Sequence, residues 1–230
     1  MKLSNPPQAK AIWLFVTILF IAFLFVPLGK MLALSLNVGD GIGLDNYTSI
    51  VSSDSFKQVM FNSFFVATVS ALSATMLAFI LAYTVHWTNL PKGFKKVIKV
   101  AALLPMLLPT VTYGFAIIYT FGKQGLLTQI LGFQLFENIY GFQGMWLGYT
   151  IYTLPIAFLL LNNTFQYLDK KFVIVSELMG DSSLRQFDMT VIRPLIGTFA
   201  AAMIQCFFLA FTDFGIPASI GGQYKVIAIE

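Results

Sequence analysis

The sequence predicts an all-α protein, a polytopic transmembrane helical bundle, and three observations carry that prediction. The first is composition. Of 230 residues, 57% are hydrophobic and only 10% are charged, with mean hydropathy +0.79; a soluble domain carries about 25% charged residues. The second is the presence of five apolar runs, each long enough to reach the roughly 20 residues that a bilayer crossing needs. The third is the placement of charge. Residues 169–195 hold eight of the 24 charged side chains, and this polar stretch lies between two apolar runs.

The runs follow in order. Residues 11–34 form the first, behind a short basic N-terminal segment, residues 1–10. It is longer than a signal-peptide core and no small-residue cleavage site follows, so it is expected to be retained as a span. Pro27 is expected to kink it or to end its regular part. Residues 60–85 form the second span, 97–121 the third, 140–161 the fourth and 191–212 the fifth. Their interiors are almost free of ionisable groups, as expected where burying a charge costs a few kcal/mol. In the third span, Pro105 and Pro109 free backbone carbonyls within the membrane. They make a kinked helix that lines a translocation path, or a kink that eases packing. In the fourth, Gly148, Thr150, Thr153 and Pro155 provide small residues for close helix approach. Asn162 and Asn163 sit at its end, where a hydrated interface explains them. Asp213 closes the fifth span beside Gly215 and Pro217. It either touches a solute or gate, or caps a turn at the membrane edge.

Orientation follows from Lys and Arg. Ten of them (Lys2, Lys10, Lys92, Lys95, Lys96, Lys99, Lys170, Lys171, Arg185 and Arg193) fall on one side of the five-span topology and four on the other (Lys30, Lys57, Lys123 and Lys225). The positive-inside bias places the N-terminus and residues 169–195 in the cytoplasm. The net charge of +4 thus reflects loop topology, with no nucleic-acid partner implied.

The polar stretch reads as two short helices. Asp169 is placed to cap the first. Gly180 falls where that helix should end in a left-handed conformation. Ser183 and Gln186 have capping-box spacing, and Leu184 and Phe187 share a face of the second helix. An ordinary connector between spans is the plain alternative.

Catalytic chemistry is missing. His86, the one histidine, stands beside Trp87 as an interfacial anchor. Gly122-Lys123 lacks the remainder of a phosphate-binding loop. No cluster has metal-ligand spacing, and neither a cofactor nor a metal is expected. Cys206, alone in an apolar run, is a buried thiol. The chain is expected not to be an enzyme and not to hydrolyse ATP by itself.

Leu178 to Phe187, followed by Val191, Ile192, Pro194 and Leu195, resembles the cytoplasmic loop of permease subunits of bacterial binding-protein-dependent ABC importers, with its glycine, aromatic and hydrophobic–proline elements. Phe211 to Gly222 is similar to the phosphonate, ferric iron and polyamine branch of that family. The resemblance covers residue 62 to the C-terminus. It implies a type I ABC importer permease fold over residues 60–230, with a coupling loop at 165–193. It implies docking to the ATP-binding subunit through Glu177, Gly180, Ser183, Leu184, Arg185 and Phe187. From the residues themselves, Pro105, Pro109 and Asp213 are the candidates for lining a translocation path. The implied partners are an ABC ATP-binding subunit, an extracytoplasmic solute-binding protein, a second permease subunit or half, and membrane lipid. The implied location is the bacterial inner membrane, and the implied solute is 2-aminoethylphosphonate or another phosphonate, ferric iron or a polyamine.

The chain departs from the family pattern. Ile174 stands where the family has Glu, Val175 and Ser176 replace two alanines, and Pro194 follows Gly180 by one residue more than the commonest spacing. The chain also ends where the family continues into another span, so the bundle is expected to lack its last span. Two other classes compete: a secondary transporter, which needs membrane-embedded acids or broken helices in both halves of a repeat, and a non-transport membrane scaffold.

Overall fold

The computed structural model describes residues 7–39 and 41–229, so Asp40 and the first six residues of the expected cytoplasmic segment 1–10, Lys2 among them, lie outside the described residues. The secondary structure of these residues is helical apart from one isolated bridge, Asn37 to Ile42. The chain divides into two compact units, Met1–Lys57 and Gln58–Glu230.

In the first unit, α1 (Pro7–Phe20) continues through a π-helical turn, Ile21–Phe25, into α2 (Val26–Ser35). Pro27 lies inside this continuous helix, directly after the π-helical turn that accommodates its missing N–H. Together they make a 28-residue apolar helix, Gln8–Ser35. Trp13, Phe15, Phe23 and Leu34 are exposed along it, as side chains that face lipid must be. A short helix, α3 (Asp45–Ser52), follows. The Asn46 amide fixes the connection by donating to the carbonyls of Ser35 and Asn37 at 3.1 and 3.0 Å.

The second unit is a bundle built on α4 (Asp54–Trp87) and α8 (Phe142–Tyr167). Along α4, Ala67, Ala71, Ala74, Ala78 and Ala82 recur at helical spacing and are completely buried. Small residues let helices approach closely, which is how helices associate where no water is present to drive them together. Around this stripe pack Phe158, Leu161 and Phe165 of α8, and Leu195, Ala202 and Cys206 of α11 (Arg193–Thr212). Cys206 is the buried thiol expected. A second cluster, at the other end of the bundle, joins Val66, Tyr113, Ile117, Met145, Tyr149, Ile216 and Ile220.

The third predicted span differs from a kinked crossing. It is two helical segments, Lys92–Leu107 and Thr110–Leu131, bent by 114°. The first comprises α5 (Lys92–Leu103) and a 3-10 turn, Leu104–Leu107; the second comprises α6 (Thr110–Phe121) and α7 (Leu126–Leu131). Leu108 and Pro109 are extended at the break. The physical reason is the residue before a proline: Leu108 is driven out of the helical region by Pro109, while Pro105 has already removed one N–H. By contrast Pro155 is accommodated inside α8.

The other spans overrun their expected ends. The fourth is α8, which begins at Phe142 and carries Asn162 and Asn163 within it. The fifth reaches back to Ser183: α10 (Ser183–Phe187) runs through a π-helical turn, Asp188–Ile192, into α11, forming one 30-residue helix. A separate second short helix is therefore corrected to the first turns of the fifth span. Among the described residues, four helices are long and apolar enough to cross a membrane, or five with the bent pair as one.

The segment after residue 213, read from sequence as a polar tail, is also folded in. α12 (Gly215–Ile220) buries Ile216 and Ile220 against α6 and α8. Beyond it, Ser63 of α4 accepts from the Ile227 amide at 2.8 Å and the Asn62 amide donates to the Lys225 carbonyl at 3.0 Å. The Tyr224 phenol, pushed above its ordinary pKa by burial, remains a neutral donor to the Asn62 carbonyl.

Candidate functional site

Two places concentrate polar chemistry or broken backbone: the elbow formed by α9 (Lys171–Leu178) and α10, and the junction of the α5/α6 and α11/α12 breaks.

At the elbow, Asp169 does cap: its carboxylate accepts from the Lys171 amide at 2.9 Å. α9 ends at Gly180, which has φ 77°, the left-handed conformation that a side chain with a Cβ disfavours. Asp181 then locks the corner. Its carboxylate accepts from the Ser176 hydroxyl of α9 at 2.8 Å and pairs with Arg185 of α10 at 3.1 Å. The capping box expected from Ser183 and Gln186 does not form. Ser182 occupies the cap position, so Ser183 is already helical, and Gln186 instead donates to the Val173 carbonyl at 2.8 Å, tying α10 to α9. Spacing alone did not tell which serine begins the helix.

The predicted docking residues separate into two groups. Leu184 projects outward, 85% exposed, together with Leu178 and Met179 at 83% and 78% on the other side of the Gly180 turn. Glu177 and Ser183 are exposed beside them, and Glu177 makes no ion pair among the described residues. Phe187 is partly exposed and touches the bundle with one edge of its ring. Its ring meets Tyr83 of α4 edge-on, centroids 5.8 Å apart. Arg185 is engaged by Asp181. Leu178 and Met179 were not among the residues expected to dock, because apolar spacing in a short helix does not say whether its face is covered. A groove of about 310 Å³ lies beside this knob, between the end of α8, α9 and the π-helical turn, with Phe172, Met179, Asp181 and Met189 in its wall. Ile174, at the family's Glu position, is 58% exposed.

His86 and Asn162 link the elbow's end of the bundle. The imidazole and the Asn162 amide oxygen are 2.9 Å apart, with Asn162 only 7% exposed. Beyond the interfacial roles expected of them, the two side chains make a contact between α4 and α8. Each satisfies the other, where an unpaired polar group would be costly. Lys170 lies over the Trp87 ring, 6.0 Å from its centroid.

At the second site, Pro105 offers its carbonyl to the Tyr113 hydroxyl across the α5/α6 break, and Pro109 precedes the first turn of α6. Asp213 stands at the α11/α12 break, where its carboxylate accepts from the Ile216 amide at 2.9 Å and caps α12. The two breaks touch. A Cβ on Gly215 would lie 2.7 Å from the Val111 amide nitrogen, so glycine is required for this approach. Sequence reasoning found one interrupted helix and not the second, because Asp213 and Gly215 lay at the edge of an apolar run.

No protein-family model matches the chain. It is 22% identical over 196 residues to a putative ferric transport system permease protein of Haemophilus influenzae, covering 84% of this chain and 31% of that protein. It is 28% identical over 211 residues to a thiamine transport system permease protein of Salmonella typhimurium, covering 89% and 38%. The chain thus spans about a third of the length of these curated relatives. Among solved structures, it superimposes on a chain of a bacterial alginate ABC transporter, crystallised with an alginate-pentasaccharide-bound periplasmic protein, with TM-score 0.65 and 15% identity over 86% of this chain and 70% of that one. A second crystal structure, of a bacterial ABC transporter involved in alginate import, gives TM-score 0.65 at 13% identity, covering 96% and 81%. The fold is that of an ABC importer permease. Sequence relatives and fold agree on this, and the permease resemblance seen at residues 178–195 lies in the α9–α10 elbow.

Proposed function

We propose that this chain is a permease subunit of an ATP-driven, binding-protein-dependent importer in a bacterial inner membrane, with its α9–α10 elbow seated in a separate ATP-binding subunit. The observation that carries this reading is the exposed apolar knob of Leu178, Met179 and Leu184 around a glycine turn, on the fold of an ABC importer permease. Exposed apolar side chains on a polar loop mark a protein contact. Glu177, Gly180, Ser183, Leu184 and Arg185 belong to that contact or hold its shape, and Phe187 couples it to α4.

The mechanism follows from continuity. Closure of the ATP-binding subunits around ATP displaces the docked elbow as a rigid body. Because α10 runs without a break into α11, the displacement passes into a helix about 45 Å long at 1.5 Å per residue. The Phe187–Tyr83 contact passes it to α4. Rocking of these helices exposes the path alternately to the two sides. Pro105, Pro109 and Asp213 are assigned to the wall of that path, since discontinuous helices present backbone groups and helix ends to a passing solute.

The remaining partners in this reading are a solute-binding protein on the opposite face, and a second permease subunit or half that completes the path. Of the three solute classes that the sequence resemblance implies, ferric iron is the one found in the names of relatives, and it is the first solute to test. Membranes carrying the chain with its ATP-binding and binding-protein partners should take up radiolabelled ferric iron in an ATP-dependent way. The purified chain alone should hydrolyse no ATP. Hydrolysis by the chain alone, or uptake independent of the ATP-binding subunit, contradicts the assignment.

A further inference from the structure

Four lysines line one pocket. Lys92, Lys95, Lys96 and Lys99, with Val85 and His86 of α4, border an open concavity of about 320 Å³ between the end of α4 and the face of α5. This lies within the size range of ligand pockets, about 300–1,000 Å³. The spacing of 3, 4 and 7 residues sets all four on one side of α5.

Their charge is uncompensated. No Asp or Glu occurs between residues 55 and 136. None of the four takes part in an ion pair among the described residues. One acceptor is supplied by the chain: the Lys95 ammonium donates to the Thr88 carbonyl at 2.6 Å, just beyond the end of α4. Four ammonium groups around one concavity repel each other unless an anion sits among them.

The surroundings indicate which anion. Phe94, Val97 and Val100 of the same helix are 54%, 61% and 54% exposed. α5 is therefore a helix with a basic face and an unburied apolar face, the arrangement of a helix lying in a membrane interface. Basic pockets between helices at a membrane edge receive anionic headgroups. An acidic protein surface would leave Phe94 and Val97 uncovered; acyl chains cover them.

We propose that this pocket is a binding site for the phosphate of an anionic phospholipid, with Lys92, Lys95, Lys96 and Lys99 holding the headgroup and Phe94 and Val97 lying against its acyl chains. The bound lipid would brace the α4–α5 corner at the same end of the bundle as the α9–α10 elbow. The site is independent of which solute is carried.

The test uses the purified, delipidated full chain in detergent, titrated with phosphatidylglycerol or phosphatidylcholine and read by native mass spectrometry. Phosphatidylglycerol is expected to be retained over phosphatidylcholine. A Lys95→Gln/Lys99→Gln pair should weaken it by roughly fivefold per lysine removed, with phosphatidylcholine unaffected. The exposed pair Lys92→Gln/Lys96→Gln gives the same reading without touching the Thr88 contact, should the first pair fold poorly. Lys57→Gln/Lys123→Gln should change nothing. Equal retention of the two lipids, or unchanged phosphatidylglycerol binding in both lysine pairs, overturns the site. Two further outcomes overturn the lipid assignment. One is full displacement by millimolar inorganic phosphate, which would make the anion a free one. The other is a lysine pair that keeps lipid binding and loses the ATP-binding subunit, which would assign the lysines to a protein contact.

Discussion

At the residue scale, the His86–Asn162 pair and Gly215 are the most sharply determined positions. Asn162→Leu leaves the imidazole without its partner inside the bundle. Interhelical polar contacts in membranes contribute about 0.6 kcal/mol on average and up to about 1.7 kcal/mol. The substitution should lower the thermal midpoint in detergent, and a paired His86→Leu should recover part of the loss by removing the orphaned group. A double-mutant cycle on the midpoint checks this; additive losses would show that the two side chains do not interact. Gly215→Val should be far worse, because even a Cβ there meets the Thr110 side chain and the Val111 amide. It is expected to separate α12 from α6 and to abolish a folded, monodisperse protein in size-exclusion chromatography.

At the element scale, the elbow separates folding from docking. A Cβ on Gly180 meets open space, so the penalty of Gly180→Ala is conformational alone, about 1 kcal/mol from the positive φ. Gly180→Val adds β-branching and should open the corner further. Membrane levels measured by immunoblot should stay normal while association with the ATP-binding subunit falls, valine more than alanine. Asp181→Ala should act in the same direction more weakly, since it releases both Ser176 and Arg185 from the corner. Loss of the protein from the membrane in either variant would make the elbow a folding element and leave docking unsupported.

Much of this scale was legible in the sequence. The Gly180 turn, the Asp169 cap and the buried Cys206 follow from local rules that tertiary context did not override. The helix ends were less legible. Apolar run length located the spans but not their limits, because Ser183–Asp188 is polar and still helical, continuing the fifth span. The contact of Phe187 with Tyr83 was not legible for the same reason, since it depends on α10 being continuous with α11. The prolines marked the break in the third span, but a 114° bend depends on what α6 packs against, and that partner is α12, a segment with no apolar run of its own.

At the scale of the whole molecule, the two core clusters divide the bundle along its length. One surrounds the alanine stripe near the elbow; the other binds α6, α8 and α12 at the far end. The helix breaks belong to the far end, where Tyr113 and Ile216 are core residues; in the proposed mechanism α11 and α4 connect them to the elbow. The orientation proposed from the lysine and arginine bias puts the elbow in the cytoplasm. Cysteine variants at Ser183 and Ser53 report on it: an impermeant maleimide applied to intact cells should label Ser53→Cys and spare Ser183→Cys, and the reverse pattern would invert the topology.

The most direct measurement of the elbow's role is site-specific photo-crosslinking from position 184 in native membranes. Leu184 is 85% exposed. A photoreactive residue there should give one dominant protein adduct, identified by mass spectrometry as an ABC ATP-binding subunit, and the adduct should weaken when Gly180→Val is combined with it. Adducts with lipid alone, or the same adduct at full yield with the elbow opened, would contradict docking through α9 and α10.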